Sequence, residues 1–351
     1  MSQLKKHSIL ILALILAVSC GIPTIQTKAE YRLNPDSAYK ETDGVNNPPE
    51  FVEIGGEKYK YQYGIGFDDT EKTRFEEEWV TSCTPRRSTY WLPEMVFLRD
   101  GMLNVTTQVR TGNQVEEILK ANLTAEEFSE VTKPDKTPTK FGGDKKAAVS
   151  GAVEKKEKDL YGLFVARIRM KKDSTGHWNA FWFWGVDPKD ESLAYEFDIF
   201  EYPKTNNKYD TTTHWPHGNL RTSATKEHTV PSVNEWNTYA LLWTGTTVAY
   251  YCNWELLCYF TAEGGPDELL NSVKRKSIER NHEIISPIPM NMIFSNEVGG
   301  LDFAWAGYPE IDKLEKSYDN MQIDWYAHYT TDGLKKAAGQ AGVVYGDYPV
   351  K

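Results

Sequence analysis

From about residue 58 the chain is a succession of short apolar runs, broken by glycine, proline, asparagine or aspartate. Val96-Phe97-Leu98 leads into Arg99-Asp100-Gly101 and then Met102-Leu103-Asn104-Val105-Thr106. Asp-Gly between two such runs predicts a hairpin, because both residues tolerate the backbone of a tight turn. Residues 236–243 and 248–260 repeat the style, the second with a turn at Asn253-Trp254, and 287–298 and 321–329 predict further strands. The pattern is all-β, a sandwich or jelly roll. Some stretches depart from it. Val115, Ile118, Leu119 and Leu123 recur at helical spacing, so 113–130 predicts helix, with a new turn opening at Thr124-Ala125-Glu126-Glu127. Residues 267–280 predict another helical patch. Residues 133–158, rich in lysine, proline and glycine, predict an exposed loop. Together with 113–130 it reads as an insertion at about 111–160.

One predicted strand carries unusual chemistry: Ala194-Tyr195-Glu196-Phe197-Asp198-Ile199-Phe200-Glu201-Tyr202. Glu196 and Asp198 are two apart and share a face. Glu201 is five from Glu196, which in a regular strand sends it to the opposite face; one extra residue, a β-bulge, brings it back. Three acids on one face repel, and no lysine or arginine stands between them. Acids on strands are more often solvated outer-face residues. Paired carboxylates flanking a scissile bond, however, are the machinery of glycoside hydrolysis.

Length and charge narrow the choice. The chain has 351 residues, ample for one large β domain or two modest ones. A net charge of −10 argues against a nucleic-acid partner. The 11 tryptophans and 20 tyrosines serve a β core, a sugar-binding surface, or both. Lys5 and Lys6 precede an apolar run from Ile9 to Val18, too short to span a bilayer comfortably, so residues 1–29 predict an export signal. Cleavage after Ala29 is one option; a lipoprotein site at Cys20, with attachment to a membrane through that residue, is another. Either way the mature protein is secreted or attached to the cell surface. Residues 30–57 predict a leader, 58–330 the main domain and 331–351 a C-terminal tail. Removing the signal leaves Cys83, Cys252 and Cys258, an odd number. Across a two-residue turn Cys252 would face Glu255 and Cys258 would face Ala249, a register that disfavours a disulfide.

Flanking the acids are Tyr161-Gly162-Leu163-Phe164-Val165-Ala166-Arg167-Ile168-Arg169-Met170 and His177-Trp178-Asn179-Ala180-Phe181-Trp182-Phe183-Trp184-Gly185. Downstream come Trp236-Asn237-Thr238-Tyr239-Ala240-Leu241-Leu242-Trp243, the segment Pro289-Met290-Asn291-Met292-Ile293-Phe294-Ser295-Asn296-Glu297-Val298-Gly299-Gly300, and Met321-Gln322-Ile323-Asp324-Trp325-Tyr326. In this order, over roughly 58–330, these segments resemble glycoside hydrolase family 16: laminarinases, lichenases, agarases, carrageenases and endo-β-galactosidases. The acid run resembles its bulged E-x-D-x-x-E form. The resemblance implies a β-jelly roll of two curved antiparallel sheets with sugar lying across a concave face.

It also implies roles. Glu196 would be the nucleophile, Glu201 the acid/base and Asp198 the residue that orients Glu196, in a retaining mechanism. Trp182, with Trp178 beside it, would be a stacking platform; alternation cannot separate Trp178, Trp182 and Trp184, which are all an even number apart. His214 would reach the cleft near Glu201, with His217 in a loop. Trp305, in Phe303-Ala304-Trp305-Ala306-Gly307-Tyr308-Pro309, resembles a loop that borders the cleft in laminarinase-like members. Many members carry a structural calcium. Asp324 and Gly101 match parts of that site, but Gly64-Ile65-Gly66-Phe67-Asp68-Asp69 lacks the usual acid before the phenylalanine. No cofactor is required for the reaction. The expected substrate is a laminarin-type β-1,3-glucan, with a galactan (agar, porphyran or a host β-galactoside) as alternative. A non-catalytic sugar-binding jelly roll and a transglycosylase are the rival readings. The expected protein is a monomer whose partner is a polysaccharide.

Overall fold

The predicted runs become strands of two stacked sheets. A computed structural model describes residues 48–345, apart from 88, 134–141, 172–175, 204–206, 218–219, 262–284, 300–305 and 316–318. The export signal with Cys20, Trp305 and the helical patch at 267–280 therefore lie outside the described residues.

In chain order the first strands are β1 Phe51–Ile54, β2 Glu57–Ile65, β3 Trp79–Thr81, β4 Thr84–Arg86, β5 Thr89–Trp91, β6 Val96–Arg99 and β7 Met102–Thr111. Then come β8 Lys146–Ser150, β9 Ala152–Lys155, β10 Gly162–Lys171, β11 His177–Asp187, β12 Asp190–Tyr202, β13 Lys208–His217 and β14 Leu220–Thr229. The last are β15 Asn237–Trp243, β16 Thr247–Cys252, β17 Glu255–Thr261, β18 Asn291–Val298 and β19 Asp319–Thr330. The larger sheet runs β17-β16-β15-β10-β19-β7-β8-β5-β4, with β1, β2 and β6 attached at its side. The smaller runs β14-β13-β12-β11-β18-β9-β3. Neighbours are antiparallel, with a short parallel contact between β5 and β8.

Period-2 alternation builds the core. Phe164 from the larger sheet shares one core cluster with Phe181, Phe183, Phe197 and Phe294 from the smaller, all fully buried, with Trp243 and Tyr326 among them. Burial of each such ring is worth about 1.5–3 kcal/mol. The opposite face of the larger sheet is covered too. Val52 and Ile54 of β1, and Leu334 of a helix at Asp332–Gln340, pack on Leu163, Val165, Leu242 and Tyr329. Part of the expected leader and part of the expected tail thus belong to the packed body.

The hairpins form as predicted: Asp100 and Gly101 have φ of 54° and 72°, and Asn253 and Trp254 have 47° and 67°. The helical spacing at 113–130 becomes two helices, Gly112–Asn122 and Ala125–Val131, each opened by a threonine in a reciprocal capping box. Their apolar face, with Val115 and Leu119, packs on Tyr90, Leu92 and Val149.

The expected loop at 133–158 is corrected. Lys146–Ser150 enters the larger sheet beside β7, and Ala152–Lys155 enters the smaller beside β18. Ala148, Val149, Ser150, Ala152 and Val153 are buried there, and so is Lys155, whose Nζ donates to Asp159 Oδ1 at 2.8 Å. What lies between β7 and β8 is an insertion; 146–155 is framework.

The cysteine register is corrected by one residue. A bulge in β17 sets Cys258 opposite Tyr250 rather than Ala249, and all three described cysteines are free thiols.

Candidate active site

Three adjacent strands of the smaller sheet send alternate side chains away from the core. β11 presents Trp178, Ala180, Trp182 and Trp184; β12 presents Glu196, Asp198 and Glu201; β18 presents Ile293, Ser295 and Glu297. With Arg86, Arg87 and Trp91 from the β4–β5 hairpin they line a cleft of about 420 Å³. Its floor is apolar: Trp91, Ala152, Ala180, Trp182 and Ile293 form a continuous cluster with Trp184 against it.

The bulge predicted from the five-residue spacing is present. Trp184 pairs with Glu196 and Trp182 with Asp198, but Phe181 pairs with Phe200, so Ile199 is the extra residue. Ile199 and Phe200 then both stay in the core, and Glu201 returns to the cleft face opposite Ala180. Burial of two large apolar side chains, each worth about 1.5–3 kcal/mol, opposes a regular strand that would expose Phe200.

All three acids therefore meet in one cleft. Asp198 is buried, while Glu196 and Glu201 are half-buried. Burial is the main cause that holds the Glu201 carboxyl well above the usual range, and the charges of Asp198, Glu196, Asp210 and Glu297 push the same way. Its recorded side-chain contact is weak, Thr212 Oγ1 donating to Oε2 at 3.4 Å. A carboxyl with a raised proton affinity beside carboxylates is the electrostatic arrangement of a general acid beside a nucleophile.

His214 reaches the acids, though at the other end from the one expected. It stands directly across from Glu196, and its Nε2 lies 3.3 Å from Glu196 Oε1 and 3.2 Å from Asp198 Oδ2. The bulge explains the shift, because Glu201 faces Asp210 on the same neighbour. These three side chains place potential metal-ligand atoms within 4.8 Å of one another, but the imidazole already bridges the two carboxylates.

The tryptophans share the cleft face, as even spacing requires. The indole N–H of Trp182 donates to Ser295 Oγ at 3.1 Å, which fixes the ring in the floor, and only 9% of the residue is exposed. Trp178 is more deeply set, and Trp184 is half-buried. Nothing in the hydropathy pattern marks Arg86, Arg87, Trp91 or Glu297. The signal for Glu297 is its two-residue step from Ile293 and Ser295; Arg86 and Arg87 read as an ordinary basic turn.

The calcium reading does not fit the donors present. Arg167 donates to the Asp324 carboxylate, and Arg169 adds a second positive charge nearby. A guanidinium occupies the carboxylate that a calcium would need. Gly101 serves as the second residue of the β6–β7 turn.

Comparison with known proteins places this geometry in context. The family described as glycosyl hydrolases family 16 matches residues 104–265. Among solved structures the chain is similar to an endo-β-1,3-glucanase from Pyrococcus furiosus, at 17% identity and a TM-score of 0.56, covering 81% of this chain and 98% of that one. It is similar to the laminarinase catalytic domain from Thermotoga maritima at 18% identity and a TM-score of 0.55, covering 78% and 98%. It is equally similar, at 17% identity and a TM-score of 0.56, to a structure reported for endo-acting O-glycanases with which members of the human gut microbiota initiate mucin breakdown, covering 84% and 97%. At such identities these likenesses speak to the fold. No curated protein sequence matches the chain.

Proposed function

From the match of residues 104–265 to glycosyl hydrolases family 16, we propose that Glu196, Asp198 and Glu201 make the protein a retaining endo-β-glycosidase of the extracellular space or cell surface. The observation that carries this reading is the Ile199 bulge, which sets Glu201, its carboxyl held well above the usual range by burial and neighbouring acids, on the same cleft face as Glu196 and Asp198.

The chemistry follows from the charges. Glu196 attacks the anomeric carbon while Glu201 gives its proton to the departing glycosidic oxygen. The product is a sugar ester of Glu196, which has lost its negative charge. One cause of the raised affinity of Glu201 for a proton is then gone, so Glu201 acts as base on water and the ester is hydrolysed. Asp198 and His214 hold the nucleophile: the imidazole Nε2 lies within hydrogen-bond reach of both carboxylates and limits their freedom to swing. Trp182 and Trp184 offer ring faces to the pyranose. No metal or cofactor takes part in any of these steps.

The polysaccharide is proposed as a laminarin-type β-1,3-glucan or, in the second reading, a galactan or host β-galactoside. The test is a screen of laminarin, mixed-linkage glucan, agarose, porphyran and mucin glycans with product sizing, run on the wild type and on Glu196→Gln. Oligosaccharides of intermediate length from at least one substrate, and their loss in a Glu196→Gln protein that still folds and binds that substrate, are expected. Activity that survives Glu196→Gln would rule out the nucleophile. Binding without cleavage by the wild type would favour a sugar-binding module, and products longer than the substrate a transglycosylase.

A further inference from the structure

Two arginines at one end of the cleft have no part in the hydrolysis described above. Arg86 ends β4, and Arg87 follows at the tip of the β4–β5 hairpin with φ of 52°. L side chains adopt this left-handed backbone only at a cost, and such strain clusters at binding and catalytic sites. Both arginines turn onto one acid. Arg86 Nε lies 2.8 and 3.0 Å from the two oxygens of Glu297, and Arg87 Nε lies 3.2 Å from Oε2. Each guanidinium also lies over a ring, Arg86 over Trp91 at 4.6 Å and Arg87 over Trp178 at 5.5 Å.

Exposure separates the members of this group. The Glu297 side chain is 3% exposed, whereas Arg86 and Arg87 are 33% and 32% exposed. One arginine would neutralise the buried carboxylate, so the second adds a net positive charge that faces the cleft. Arg86 reaches Glu297 through Nε, and its Nη groups hydrogen-bond to none of the described residues. Among the described residues that line the cleft, the remaining charged groups are acids. Without the arginine pair these described lining residues would repel an anionic glycan; with it, one end attracts.

We propose that Arg86 and Arg87 form a subsite for an oxyanion substituent on the glycan, a sulfate ester or a carboxylate. A guanidinium offers several N–H groups in one plane and matches the oxygens of either group, and ring contacts hold both planes in place before the ligand arrives. The site lies close to the cleaved bond. Glu297 pairs with Trp178 across the β11–β18 ladder, one two-residue step, about 7 Å, from the Ala180 that faces Glu201. The inference rests on the cleft being a glycosidase cleft and adds to it the charge of the substrate.

The experiment takes the backbone found by the polysaccharide screen in neutral, O-sulfated and carboxylated forms and measures kcat/KM on each. For the wild type, one of the two charged forms should exceed the neutral form by about tenfold or more, as charge-assisted hydrogen bonds are worth. Which form gains identifies the oxyanion. Arg86→Gln and Arg87→Gln should each shrink this ratio mainly through KM. If removal of either arginine leaves Glu297 buried without its partner and the variant fails to fold, the wild type decides: the advantage should fade as sodium chloride is raised. Equal rates on charged and neutral forms, or a preference for the neutral form, overturns the proposal while the glycosidase reading stands. If no form is cleaved, the glycosidase reading fails instead. Calorimetric binding of the same three ligands then tests the arginine site by the same ratio.

Discussion

Glu201 is the proposed proton donor, and its environment has a consequence for stability. Burial and four neighbouring acids raise its folded-state pKa above the value of 4.5 that it has in an open chain. Between those two values the native protein keeps a proton that the unfolded chain has released. The favourable contribution is therefore complete below pH 4.5 and is lost as the pH climbs to the folded value. Glu201→Gln, which cannot ionise, should be more stable than the wild type at neutral pH, and the gap should close toward pH 4. Thermal melts of the two proteins from pH 4 to 8 check this. Parallel curves would mean that Glu201 titrates as an ordinary surface acid, and its proposed role as proton donor would go with it. The sequence already carried the two facts behind this, the acid triplet and the absence of a basic residue among them. It did not carry His214 in its true place, because cross-strand pairing beyond a bulge depends on which strand holds the extra residue.

At the scale of elements, the bulge in β12 was legible and the strands at 146–155 were not. The bulge announces itself because Phe197, Ile199, Phe200 and Tyr202 are large, and a core that takes all four leaves one arrangement for Glu201. Strands β8 and β9 mix small alanine, valine and serine residues with Lys146, Glu154 and Lys155, which gives little hydropathy signal, and they lie in a lysine-rich stretch. The buried Lys155–Asp159 pair hides there, since a lysine in sequence reads as solvent-exposed. The bulge can be tested by removal. Deleting Ile199 leaves Glu196, Asp198 and Glu201 at alternate positions of a regular strand, so all three still face the cleft. The deletion variant should fold, lose about 1.5–3 kcal/mol with the missing buried isoleucine, and keep measurable hydrolysis. Far-ultraviolet circular dichroism, urea titration and the substrate found by the screen provide the readouts. A folded but inert variant would show that the bulge sets the depth and angle of the Glu201 carboxyl as well as its face.

At the scale of the whole molecule, the sheets are joined by a buried polar cluster that no local pattern reveals, since its members come from distant parts of the chain. Lys155 on β9, Asp159 before β10 and His328 on β19 meet in the interior, with His328 Nδ1 at 4.0 Å from Asp159 Oδ1. Tyr345, from the far end of the chain, donates its hydroxyl to Leu160 O and accepts from Leu160 N, which ties that end to the same place. Gly162 closes the packing: a Cβ there would lie 2.1 Å from His328 Nε2. Burial lowers the His328 pKa to about 4, with Asp159 opposing that shift and Lys155 adding to it. His228 is lowered to about 4 as well, chiefly by burial. The sign is opposite to that of Glu201. Below pH 6.5 the unfolded chain takes up protons that the native protein refuses, so stability is complete above 6.5 and falls as the pH drops toward 4. For the fully buried His328 the loss amounts to about 3 kcal/mol across that interval. Two opposed slopes, one from the cleft and one from the interior, therefore give the protein a stability maximum between acid and neutral pH. Urea midpoints measured at half-unit steps from pH 4 to 8 should trace that maximum. His328→Gln should flatten its acid side and leave the neutral side, which Glu201 governs, as it was. An acid limb as steep in His328→Gln as in the wild type would remove His328 as its cause.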